Sequence, residues 1–230
     1  IDIQKKLNDN IGIAYTYICM ASVMQGEKGL ITKGTNSAIE VKNYLTKAED
    51  IAKNNNLYFL LWYVYTNYAH FYYLIADFND MYYYSKRAIE IANDLDEKSK
   101  LASPLIYNGI YYYHNKKFKQ GINSFEKSLT IQKNILKVDI GNLITKTFLF
   151  LCYKKLDIPF DIGEITQAIN YRREMYNVAN EKECDMQLVY NIYQLLDDKS
   201  YLETAYNQVQ EKSDNLEPDV AAKFLSYPIP

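Results

Sequence analysis

His70 and His114 are the only imidazoles in the chain, and they are the first place to look for chemistry. An imidazole near neutral pH can carry protons or bind a metal. Neither histidine has a second His, Cys or carboxylate at a ligand spacing, so no metal site is expected. The plain role for each is a part-buried ring within a helix pair; the sharper role is a donor to a ligand carboxylate or carbonyl. Cys19, Cys152 and Cys184 are odd in number and have no close pair, which points away from a disulfide framework and toward a reducing, cytoplasmic compartment. No Ser–His–Asp or Cys–His arrangement can be built from the spacing. The paired carboxylates Asp94/Asp96 and Asp197/Asp198 fall in expected turns, where Asp caps helices. The Gly-rich stretch from Gly26 to Gly34 lacks the order that cradles phosphates, and no strand precedes it. It reads as an inter-helix loop and a secondary contact surface. Neither an enzyme nor a cofactor is expected.

The aromatic residues carry more. The chain has 24 Tyr against 9 Phe and 1 Trp. A tyrosine ring can be buried while its hydroxyl stays available, which suits cores, grooves and interfaces. The elements that must hold these rings are helical. Helical periodicity is strong, two-residue alternation is absent, and Pro occurs before residue 217 only at Pro104 and Pro159, near expected helix starts. The pattern predicts helices over 3–24, 36–54, 57–75, 78–94, 99–114, 118–135, 139–155, 161–179, 181–196, 199–213 and 217–226. Ala48, Ala88, Ser128 and Ala168 stand 40 residues apart in similar phrases, the sign of an internal repeat.

The clearest repeat is 103–132, SPLIYNGIYYYHNKKFKQGINSFEKSLTIQ. Leu105, Gly109 and Tyr112 lie on its first helix, and Phe118, Gly121, Phe125 and Ser128 on its second. The order of small and aromatic residues resembles the tetratricopeptide repeat. One period earlier the same roles fall to Ala69, Tyr72, Phe78, Met81 and Ala88; one period later they fall to Leu149, Cys152, Ile158 and Ala168. A period of 40 exceeds the common one of about 34 and resembles the long-helix subclass. The resemblance implies an all-α, right-handed superhelical solenoid of antiparallel helix pairs. Its repeats would cover 7–54, 57–95, 99–136, 139–180 and 181–213, with a cap over 214–230. The tail, AYNQVQEKSDNLEPDVAAKFL, is similar to the ends of repeat arrays in bacterial ATPase, cyclase and kinase signalling proteins. The chain opens at Ile1 and closes on Pro-Ile-Pro, so it reads as a fragment of a larger protein.

Repeat geometry assigns a concave groove to the first helix of each pair. That places Asn67, His70 and Tyr73 in one repeat and Tyr107, Ile110, Tyr113 and His114 in the next. Lys146, Phe150, Tyr153 and Lys154 follow in the third. Tyr73, Tyr113 and Tyr153 repeat every 40 residues and would form a ladder, either as peptide anchors or as packing between first helices. The groove has no Arg, which departs from carboxylate-clamp repeats and favours an aromatic or acidic-hydrophobic peptide. The expected function is protein or peptide binding as a scaffold or regulatory module. The alternative is a signal-peptide or small-ligand sensor of the quorum-sensing receptor type. The net charge of −2, with Arg only at Arg87, Arg172 and Arg173, gives no basic stripe for nucleic acid. Leu57–Ala76 is apolar but broken by Thr66, Asn67 and His70, so no membrane span is expected. An exposed terminal helix face would allow homodimerisation.

Overall fold

The structure, a computed structural model, describes residues 9–26, 31, 33–137, 143–176 and 186–226. Among the described residues there are eleven α-helices, one 3-10 turn and no strand. The expected starts at 3, 139 and 181, most of the Gly26–Gly34 loop, and Cys184 lie outside the described residues. The chain folds as two compact units, Ile1–Tyr111 and Tyr112–Pro230.

The first unit holds α1 (Asn10–Gly26), α2 (Asn36–Asn54), α3 (Tyr58–Leu74) and α4 (Phe78–Asp94), then the 3-10 turn Lys98–Leu101 and most of α5 (Ala102–His114). α1 packs on α2 and α3 packs on α4; α2 meets α3, and α1 also meets α3. Contact between first helices of successive pairs is what stacked pairs produce. The second unit begins at the end of α5 and holds α6 (Phe118–Asn134), α7 (Leu143–Lys155), α8 (Ile162–Tyr176), α9 (Met186–Leu196), α10 (Lys199–Asp214) and α11 (Pro218–Ser226). There α7 packs against α6, α8 and α9, α9 packs on α10, and α11 on α10. The packing of consecutive helices is that of an all-α repeat array.

The 40-residue period is a core period. Ala48, Ala88 and Ser128 have no exposed surface and Ala168 is 2% exposed, so the small residues mark where second helices meet their neighbours. One helical turn earlier, Leu45, Ser85, Phe125 and Ile165 are fully buried at the same spacing. The size of the residue there changes from pair to pair, and each neighbouring surface fits its own partner. The two kinds of helix differ in composition for a geometric reason. Second helices such as α2 bury one stripe, Ala38, Val41, Leu45, Ala48 and Ala52. α3 and α7 are packed on several sides. α3 accordingly carries no Asp, Glu, Lys or Arg, and α7 buries every residue from Thr145 to Cys152.

The turns repeat at half the period. Asn56, Ala76, Asp96 and Lys116 have φ of 54°, 55°, 53° and 58°, and Asp157 and Asp197 follow at 54° and 55°. At the first four, the residue after the turn donates its N–H six-to-one into the ending helix: Leu57 to Ala52 O, Asp77 to Tyr72 O, Glu97 to Ala92 O and Lys117 to Tyr112 O. These are Schellman closures, which normally use Gly at the left-handed position. None of the four is Gly. Of the paired carboxylates, Asp198 caps α10 through Ser200 N as expected, whereas Asp96 and Asp197 hold left-handed turns. Pro159 lies ahead of α8 and does not open it; Asp161 Oδ1 accepts from Gly163 N at 2.8 Å and starts that helix.

Pro104 reshapes the start of α5. A proline at this position has no N–H for the carbonyl four residues back, which is that of Lys100. The segment 98–101 is a 3-10 turn, and the α-helix begins only at Ala102. Trp62 Nε1 of α3 donates to Lys100 O at 3.1 Å and satisfies the freed acceptor.

Candidate functional site

In the first unit, Tyr63, Asn67, His70 and Tyr73 recur along one side of α3 at spacings of four, three and three. α5 brings Tyr107 to them. The His70 and Tyr73 rings lie 6.5 Å apart at 15°, His70 and Tyr107 6.3 Å apart at 37°, and Tyr73 and Tyr107 6.4 Å apart at 50°. Tyr73 is buried, His70 and Tyr107 are part-exposed, and Ile110 is fully buried. Burial pushes the His70 imidazole down to about 4, so it is neutral at pH 7. Asn67 Nδ2 donates to Tyr63 O, 2.9 Å, on its own helix. Thr66 Oγ1, one turn before His70, is buried without a hydrogen-bond partner among the described residues.

The second unit uses its candidates differently. Tyr113 and His114 pack on Phe148, with ring separations of 5.3 and 6.2 Å, and Phe148 in turn stacks on Phe125 at 6.1 Å. Burial raises the Tyr113 hydroxyl to about 12 and lowers His114 to about 4. Lys146 is buried and reaches Glu164 Oε2 of α8 at 2.9 Å. Phe150 is covered by Phe160 from the α7–α8 connection, 5.0 Å away at 26°, and also stacks on Tyr153. Tyr153 donates its hydroxyl proton to Glu126 Oε1 at 2.8 Å, and Lys154 Nζ donates to Gln194 O at 2.6 Å. The polar tips of Lys146, Tyr153 and Lys154 are thus each engaged within their own unit.

Two further aromatic groups bring in residues that the groove assignment did not name, Tyr68 and Tyr84 in one and Trp62 in the other. Tyr84 of α4 packs against both Tyr68 and Tyr72 of α3, 4.4 and 5.5 Å away, all three rings nearly parallel. Thr46 Oγ1 lies 2.9 Å from the Tyr68 hydroxyl. Burial raises all three hydroxyls well above the usual phenol range. The other group is a corner built by Trp62 and Tyr63 around the Lys100 ammonium. A lone Trp and a lysine 38 residues later give no periodic signal; the only clue in the sequence is Pro104, which frees the carbonyl that Trp62 takes.

Among the described residues no His, Cys, Asp and Glu group could hold a metal ion, and no helix is long and apolar enough to cross a membrane. The sequence matches no protein-family model and no curated protein.

Proposed function

We propose that the chain is a binding module of the tetratricopeptide type. It would hold an extended peptide or a partner segment against the aromatic side of its first helices. One observation carries this reading: α3 and α5, first helices of successive pairs, bring His70, Tyr73 and Tyr107 into mutual contact. Rigid aromatic rings contribute contact area at low entropic cost. The hydrogen-bonding groups beside them are uncharged: the neutral His70 imidazole, the Asn67 amide and the Thr66 hydroxyl. That set favours an uncharged, aromatic or aliphatic segment. An acidic segment would need free cations, yet Lys146 and Lys154 are engaged by Glu164 and by a backbone carbonyl. Placement in a larger bacterial signalling protein rests on the resemblance of the tail alone.

The test is a peptide-display selection on the intact chain, followed by titration of the best sequence against wild type and Tyr107→Ala. Helix content is checked for both. We expect at least a tenfold loss in the variant, the range of an aromatic anchor. Affinity should change little between 50 and 500 mM NaCl, since no ion pair forms. Equal binding by Tyr107→Ala, or steep salt dependence, would sink the reading.

A further inference from the structure

Trp62 and Tyr63 are consecutive on α3, and their rings meet almost at a right angle, 4.8 Å between centroids at 79°. The Lys100 ammonium sits in that corner, 4.5 Å from the Trp62 centroid and 4.8 Å from that of Tyr63. Glu97, on the same connection, supplies a carboxylate oxygen 3.4 Å from the ammonium. Two perpendicular aromatic faces and one carboxylate are the components that recognise a weakly hydrated cation. Here the chain fills the place with its own side chain.

The corner is held by bonds that do not involve the ammonium. Trp62 Nε1 donates to the Lys100 backbone carbonyl, and that carbonyl is free because Pro104 has no N–H to offer it. Lys100 can therefore turn its side chain out while its backbone, and the indole bound to it, stay in place. The open side is formed by Tyr63, 37% exposed, and by Glu97, whose side chain is 46% exposed. A primary ammonium is strongly hydrated and keeps only part of that hydration here, since the Lys100 side chain is 14% exposed. A methylated ammonium loses less hydration and makes more contact with each ring.

We propose that Trp62, Tyr63 and Glu97 form a binding site for a methylated or quaternary ammonium group, which Lys100 occupies in the unliganded chain and yields to the ligand. The headgroup comes from a free quaternary amine or from a methylated lysine of a partner. This site uses none of His70, Tyr73 and Tyr107, although Tyr63 shares their side of α3, so it does not rest on the peptide-binding reading.

The probe is tetramethylammonium chloride, titrated into the intact chain against equal NaCl. Trp62 is the only tryptophan, so its fluorescence reports the corner directly. The Lys100 ε-methylene protons, shielded by the two rings, give an independent NMR signal in wild type. We expect a saturable change in both, with the Lys100 protons moving toward their solvent position as the probe displaces them. Lys100→Met, which keeps the stem and removes the competing charge, should bind the probe about tenfold more tightly, the effect of a desolvated cation–π contact. Glu97→Gln should weaken binding several-fold. Lys100 protons that do not move at high probe concentration, or an equal response to NaCl, would overturn the proposal even if Lys100→Met fails to fold. Parallel titrations with choline and a trimethyl-lysine peptide assign the source by which binds more tightly.

Discussion

Lowering the pH from 7 to 5 should remove a measurable part of this protein's stability through two side chains. Burial lowers the His70 and His114 imidazoles to about 4 in the folded chain, against an ordinary value of 6.5. A histidine with a depressed folded pKa binds more protons when unfolded. Its stabilising contribution is complete above pH 6.5 and is lost as the pH falls from there toward 4. At pH 5, linkage gives about 2 kcal/mol for each ring. Both rings retain some solvent contact, and screening brings the sum to roughly 2–4 kcal/mol. That is a large share of a typical 5–15 kcal/mol. The assay is urea unfolding followed by far-UV circular dichroism at pH 7, 6 and 5. His70 belongs to the first unit and His114 to the second, so His70→Gln and His114→Gln should each flatten the pH slope separately. An unfolding free energy constant from pH 7 to 5, or a wild-type slope retained by the double variant, would refute the argument.

Four other outcomes follow from packing and backbone geometry. Ala76 and Lys116 occupy left-handed turns that favour Gly, so Ala76→Gly and Lys116→Gly should each raise the unfolding free energy by about 0.5–1 kcal/mol, read from the urea midpoint. Phe125 is fully buried against Phe148, and Phe125→Ala should cost about 3–5 kcal/mol, whereas Glu164→Ala, which strands the buried Lys146 ammonium, should cost more than Lys146→Met, measured by the same unfolding titration. At pH 8 a thiol reagent should modify exposed Cys19 within minutes and leave Cys152 untouched, since that thiol is fully buried and raised to about 12, with peptide mass mapping to separate the sites.

The sequence by itself determined the helices and their register. Second-helix small residues at 48, 88, 128 and 168 are buried because a close helix contact admits only a small side chain wherever the pair recurs. The charge-free stretch of α3 also stood out, because a helix packed on several sides has no solvated face on which to place a charge. The turns were only half legible. Asn and Asp mark left-handed positions at 56, 96, 157 and 197, but Ala76 and Lys116 give no sign of theirs; the Schellman bonds hold them there. What only the tertiary structure decided was the use of each side chain once the helices met. Equal spacing put Tyr73, Tyr113 and Tyr153 in one series. Yet Tyr73 sits beside His70 and Tyr107, Tyr113 packs on Phe148, and Tyr153 bonds Glu126. Lys146 and Lys154 look like free cations in the sequence and are engaged in the fold. A repeat period fixes where a residue lies on its own helix. The partners come from other helices and connections, whose residues do not repeat, and those partners decide charge state, exposure and reach.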